Sequence, residues 1–151
     1  MKIALQIEKN RAHGRAMLKG IADYALEQTD WQLELVEPES LTRASYLAQF
    51  DGLIVRVMDD RTAAALVQSG KPVVDTYGRI DGNPLESIRL DDAVLAKMAY
   101  DCFAEHHYRS FAYCGFDGLR FSEARGEAFR GYAEGSGGVC SFFRVPERKR
   151  I

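Results

Sequence analysis

Two arginines and an aromatic ring sit where an apolar run hands over to a helix. They are Arg120, Phe121 and Arg125 in CGFDGLRFSEARGEAF, Cys114 to Phe129. The first turn of a helix carries unpaired N–H groups and a partial positive charge, so a guanidinium there needs a partner of its own. With Ser122 as the helix cap, Arg125 falls in the first turn. Arg125, Phe129 and Tyr132 then share one stripe at spacings of four and three. Phe129 belongs to the core on this reading, so Arg125 points inward at the rim, and an inward charge must be met. An ion pair with Asp91 or Asp117 is one solution and a bound ligand is the other; the two are compatible.

Similar chemistry recurs at other places along the chain. Glu8, Asn10 and Arg11 follow the apolar run KIALQI, Arg56 and Asp59 follow GLIV, Asp75 and Tyr77 end KPVVDTY, and Asp91 and Asp92 follow ESIRL. Arginines and carboxylates form charge-assisted hydrogen bonds to hydroxyls, and flat rings cover the apolar face of a sugar, so the set suits a polyhydroxy compound. Helix capping competes for several of these residues, because Asp59 or Asp60, Asp91 and Ser122 are all favoured cap types. Catalytic patterns are missing. ALQIEKNRAHGRA lacks the glycines of a phosphate-cradling loop, and no nucleophile elbow is present. His13, His106 and His107 have no metal-ligand spacing, and Cys102, Cys114 and Cys140 give neither a metal nor a disulfide pattern. The reading is non-catalytic, without metal or cofactor, with the cysteines as buried free thiols in a reducing compartment.

Short β runs and amphipathic helices alternate to position these groups. Strands are expected over Lys2 to Ile7, Trp31 to Glu37, DGLIVRV, KPVVDTY, ESIRL, SFAYCG and VCSFFRV. Helices are expected over Arg11 to Gln28, Thr42 to Gln49, Asp60 to Gln68, Asp91 to His106 and Ser122 to Glu134. In the fourth, Val94, Met98 and Cys102 form one stripe and Leu95, Ala99 and Phe103 the next, together a wide buried face. Such alternation gives an α/β fold, an open parallel sheet of about six strands with helices on both faces. Ligands of such sheets bind beyond the carboxyl ends of the strands, where the residues above are placed.

Composition sets the bounds. The chain has 151 residues, 46% apolar and 28% charged, with net charge −2, so it is no general trap for nucleic acid. The basic run RVPERKR at its end reads as a solvated tail. No secretory signal and no apolar stretch of membrane-spanning length are visible, which points to the cytoplasm. DGLIVRVMDD has the look of a receiver-domain phosphoacceptor strand, but Gln6-Ile7-Glu8-Lys9 breaks the acidic pair a receiver needs for magnesium.

The order KIALQIE, helix, WQLELVE, DGLIVRV, KPVVDTYG, IRLDD, long helix, HYRSFAYCGF, FSEARGEAFRGYAE resembles the first lobe of sensor domains of the lactose/galactose-repressor type. These are built on the periplasmic sugar-binding fold, and the nearest likeness is to xylose operon regulatory proteins. The segment Ser110 to Phe129, the LDD pair at Leu90 to Asp92 and the DGLIV strand carry it. The resemblance implies sugar-responsive transcriptional control, with xylose or a related pentose as effector. It places Arg125 as the arginine that hydrogen-bonds the effector, with Asp91 lining the cleft and Phe121 against the sugar, where the xylose regulators often carry tryptophan. Arg120 stands beside them, Asp59 matches an acid after the third strand, and Asn10 and Arg11 face the cleft. Arg56 and the Phe-for-Trp change are departures from the pattern.

On this resemblance residues 1–135 form the first lobe and 136–151 begin a crossover to a second lobe that the chain lacks. DNA contact would belong to a helix-turn-helix domain also outside it. A half-cleft is expected to bind sugar weakly. The lobe is expected to form homodimers, and VCSFF, as an unpartnered strand, to aggregate or swap. A transport-type sugar-binding protein and a small α/β enzyme are the alternatives.

Overall fold

In the computed structural model, which describes residues 1–80 and 82–146, strand β1 (Lys2–Gln6) is an interior strand, with Ile3, Ala4 and Leu5 all buried. A parallel strand covered on both faces reads as a continuous apolar run, and KIALQI is one. β1 pairs in parallel with β2 (Gln32–Leu35) on one side and with β3 (Gly52–Val55) on the other. β3 continues to β4 (Val73–Asp75), and β4 to the two-residue β5 (Glu86–Ser87). The order is therefore β2-β1-β3-β4-β5. The alternating WQLELVE and the exposed Glu86 and Ser87 occupy the two edges, as their polar residues require.

Helix α1 (Ala12–Gln28) returns the chain from β1 to β2. Pro38 opens a 3-10 turn to Thr42, and α2 (Ala44–Leu47) follows, so the helix expected over Thr42 to Gln49 shortens to four residues. α3 (Asp60–Gln68) joins β3 to β4. Phe50, Leu41, Leu47, Leu53, Leu66, Val55 and Val57 form the fully buried core of this unit. At its edge Lys2 meets Glu34 at 2.8 Å, and this hydrogen bond holds the Glu34 carboxyl below its usual range.

Gly14, near the start of α1, fixes how closely that helix approaches β1. A Cβ there would lie 1.7 Å from the carbonyl oxygen of Glu8, which is backbone and has no rotamer to yield. Gly14→Ala is expected to destabilise the chain by about 3 kcal/mol, read as a lower midpoint in urea unfolding.

Chain packing divides into two compact units, Met1–Arg89 and a second that begins at Leu90. The break thus falls at residue 89/90, and the residues from Val139 to Pro146 pack as a strand of the second unit. That unit holds α4 (Asp92–Ala104), β6 (Ser110–Asp117), α5 (Arg120–Gly135) and β7 (Val139–Pro146). β6 and β7 pair in parallel as a separate two-stranded sheet, so all strand pairings among the described residues are parallel. One sheet face lies under α5. A Cβ on Gly126 would come within 2.8 to 2.9 Å of the Tyr113 and Phe142 rings, so only glycine lets the helix sit this low. Tyr100, Phe103, Phe111 and Phe129 join α4, β6 and α5 through ring contacts of 5.6 to 6.3 Å.

Burial in this unit departs from the sequence expectation. In α4 only Ala96 is buried; Val94 is 53% and Met98 63% exposed. The apolar stripe is real but nothing described covers it, because helical spacing fixes which residues share a face and not what lies opposite. Cys102 and Cys114 are likewise exposed and Cys140 partly so, contrary to the expectation of buried thiols. Partial burial pushes the Cys140 thiol up. The second face of the small sheet, with Phe116, Val139, Phe143 and Val145, is also exposed. No helix among the described residues is long and apolar enough to cross a membrane. The run RVPERKR lies outside the described residues from 147 onward.

Candidate functional site

Two polar clusters form, one in each unit. In the second unit, α5 begins one turn earlier than the cap at Ser122 would allow. Its N-cap is Leu119, and Arg120 and Phe121 are already helical. Ser122 is instead buried inside the first turn, where its hydroxyl accepts from the Phe116 N–H at 2.8 Å. The Tyr113 hydroxyl donates to the Ser122 carbonyl at 2.7 Å, and Glu123 accepts from the Gly118 N–H at 3.0 Å. These bonds lock the end of β6 to the start of α5. Ser122→Ala removes the acceptor of a half-buried N–H and is expected to cost about 1 to 2 kcal/mol in chemical denaturation.

The lock positions Arg125. Its Nε donates to Asp92 Oδ1 at 2.7 Å, and its guanidinium lies 5.1 Å from the centre of the Phe121 ring. The partner is Asp92, not Asp91 or Asp117. Asp91 is occupied as the N-cap of α4, accepting from Ala93 and Val94 N–H at 3.0 Å each. Capping turns the Asp91 carboxylate into its own helix end and leaves the next residue to face α5. The pair is half-buried, with side chains 33% and 23% exposed. Nε is satisfied, while the two terminal nitrogens of Arg125 make no hydrogen bond among the described residues. Arg120, in the same first turn as Phe121, is exposed.

Arg125 also borders a cavity of about 220 Å³ between α4, β6 and α5, walled by Leu95, Ala99, Phe103, Cys114 and Phe129. Those walls are apolar and offer no hydrogen-bond pattern for hydroxyls, so the polar face of Arg125, Phe121 and Asp92 is the candidate site and the cavity is a packing gap.

In the first unit, strand register aligns Gln6 of β1 with Val55 of β3, and Val55 with Asp75 of β4. The residues that follow therefore converge. Arg56 pairs with Glu8, Glu8 also meets Arg11 at 3.3 Å, and the Arg56 guanidinium lies 4.1 Å from the Tyr77 ring centre. Asp75, 1% exposed, accepts from the N–H groups of Val57, Tyr77 and Gly78 at 3.1, 2.9 and 3.0 Å. It shapes the loops that carry Arg56 and Tyr77 and offers nothing to a ligand. Asp59 is consumed as the N-cap of α3, accepting from the Thr62 N–H at 2.8 Å and its hydroxyl at 3.0 Å. Asn10 and Arg11 are exposed in the loop after β1.

Of the expected site residues, Arg125 and Phe121 come together, Arg11 joins a cluster, and Asp91 and Asp59 serve as caps. Glu8, Arg56, Tyr77 and Asp92 lie where the sequence puts the rim, but only the structure links them. The signal for Asp92 was its place directly after a strong cap; the signal for Glu8 and Arg56 was opposite charge at the ends of neighbouring strands.

No family model and no curated protein matches the sequence. Solved structures do match in fold. A xylose-binding transcription activator, XylR, superposes with a TM-score of 0.74 at 22% identity over 97% of this chain and 40% of that one. A LacI transcriptional regulator from Lactobacillus brevis gives 0.74 at 18% identity, over 100% of this chain and 61% of that chain. A periplasmic ribose ABC transporter from Conexibacter woesei gives 0.75 at 19% identity, over 96% and 53%. The chain thus spans about 40 to 61% of the length of these structures. It shares the α/β periplasmic-binding-protein-like fold with them, as the sequence resemblance implied.

Proposed function

We propose that this chain is the effector-sensing part of a bacterial transcriptional regulator that responds to a sugar and performs no catalysis. The observation that carries the reading is Arg125, held by Asp92 and the Phe121 ring with its terminal nitrogens directed to no described partner. A guanidinium fixed in this way is prepared to donate two hydrogen bonds to neighbouring hydroxyls, with an aromatic face beside it. The regulators and sugar-binding proteins among the structures of like fold support it. A pentose such as xylose is the first effector to test, since one of these structures is described as xylose-binding. Asp91, Arg120, Asn10, Arg11 and Asp59 belong to the proposed contact set from the sequence resemblance, with Asp91 and Asp59 contributing through the helix ends they cap. Homodimer formation and DNA contact through a separate helix-turn-helix domain complete the proposal.

The test is a thermal-shift and NMR titration of the chain with pentoses and hexoses, xylose first, at millimolar concentrations. Chemical-shift changes specific to one sugar and centred on Phe121 to Arg125 are the expected result. Absence of any change across the panel removes the sensor reading. The ribose-transporter match favours a second reading, a transport receptor. A promoter reporter whose sugar response disappears when the gene is deleted distinguishes the regulator, since a receptor leaves a direct promoter response intact.

A further inference from the structure

We infer that a second copy of this chain docks on the bare face of the β6–β7 sheet, face to face about a two-fold axis. This names the surface of the homodimer in the reading above and rests on that part of it. β6 and β7 pair in register from Ser110 beside Val139 to Phe116 beside Val145. Successive strand residues point to opposite faces, so every second residue between these ends shares one face, four from each strand. All eight are exposed. The opposite face is covered. Phe111 meets Phe129 of α5 and Tyr100 of α4, and the Tyr113 and Phe142 rings lie against Gly126 of α5. Parallel strands are ordinarily covered on both faces, and two strands alone are marginal in water. This pair has one side of its packing unmade.

Charge, shape and area together name the occupant. The bare face carries no charged side chain, since Asp117 and Arg144 fall on the other alternation. A second copy therefore meets no like charge there, and a charged partner finds nothing to pair with. Side-chain size is graded along the strands. Ser110, Ala112 and Ser141 make one end shallow, and Phe116, Phe143 and Val145 make the other bulky. A two-fold axis running across the strands lays the bulky end of one copy on the shallow end of the other. Phe143 then stands over Ser141 of the second copy, and Phe116 over its Ser110, so that large and small side chains interdigitate as in packed sheets. Phe116, Val139, Phe143 and Val145 are 50 to 62% exposed. The face presents on the order of 600 Å² per copy, so closure removes about 1,200 Å² in all, the area at which specific interfaces begin. The exposed row on α4 with Val94 and Met98 is the rival surface, but it is narrower and runs beside the Lys97–Asp101 ion pair.

The experiment is analytical ultracentrifugation of the 151-residue chain without sugar. Concentrations run from about 1 to 100 μM, where an interface of this size equilibrates. The expected result is a closed dimer with a dissociation constant on the order of 10 μM. Phe143→Lys should weaken it at least about 30-fold, because it places an unpaired charge in the closed face. Ser141→Glu should do the same. Mixed in equal amounts, the two variants should associate again to within about ten-fold of the unchanged chain, because opposite charges then meet across the axis. A variant that had merely misfolded gives no such rescue. If Phe143→Lys fails to fold, Val139→Lys reads the same loss from a position 62% exposed. A monomer at every concentration overturns the inference and the homodimer reading together. A dimer that Phe143→Lys leaves unchanged overturns the inference and leaves the homodimer standing, and its loss in Met98→Lys then assigns the contact to α4. Open assemblies that grow with concentration also overturn it, because a two-fold contact closes at two copies.

Discussion

Replacing Arg125 by alanine is expected to abolish the sugar response, weakening effector binding by about 10- to 100-fold, while the chain stays folded. The size follows from the bonds lost: a hydrogen bond from a charged donor contributes about 1.5 to 3 kcal/mol, and the guanidinium stacked on Phe121 has no substitute nearby. The fold should tolerate the change, because the Arg125–Asp92 pair is a quarter to a third exposed and water can take over the carboxylate. Pairs of that kind contribute about 1 kcal/mol or less. Arg125→Lys separates charge from geometry. Lysine keeps the positive charge but loses the planar fork and the stacking, so binding should recover only in part. Titration of the two variants against the unchanged chain, with unfolding curves for each, checks this. An undiminished response in Arg125→Ala would sink the assignment.

The second large effect concerns stability alone. Asp75→Ala should destabilise the chain by about 3 to 5 kcal/mol, enough to unfold a marginal domain. Three backbone N–H groups, those of Val57, Tyr77 and Gly78, converge on this one carboxylate. Alanine leaves all three without an acceptor in a site that is 1% exposed to water. Asp75→Asn tests the geometry. Its single amide oxygen can serve the Val57 and Tyr77 donors, but its amide group then meets the Gly78 N–H, donor against donor. A loss roughly half that of alanine is expected in urea unfolding. Loops bearing Arg56 and Tyr77 should lose their fixed position in either variant, seen as broadened amide signals at residues 55–58 and 76–78.

Much was legible in the sequence because it depends on short-range pattern. Strand and helix periods are local, so KIALQI, GLIV and the helices after Asp59 and Asp91 were placed within a few residues. Their alternation implies a parallel sheet, and the parallel pairing of every described strand follows. The caps were readable for the same reason: an aspartate directly before a helix closes its own first turn. The end of the sheet at which chemistry gathers also follows from topology alone.

The tertiary structure decided what local pattern cannot carry. Ser122 is a preferred cap residue, yet the helix starts before it, since its hydroxyl gains more by accepting from Phe116 at the end of β6. Arg125 selects Asp92 because Asp91 is spent on its own helix end, a competition that no spacing rule expresses. Arg56, Glu8 and Tyr77 meet only through the register of three strands that are far apart in sequence. The division at Arg89/Leu90 is invisible in composition, because the alternation of elements runs straight across it. Val94 and Met98 show the same limit: their helical spacing determines a common face, while exposure depends on what packs against that face. Sequence set the elements and the end of the sheet where these polar residues fall; long-range packing chose which charges meet, because a charge pair is set by distances across the fold that residue order does not contain.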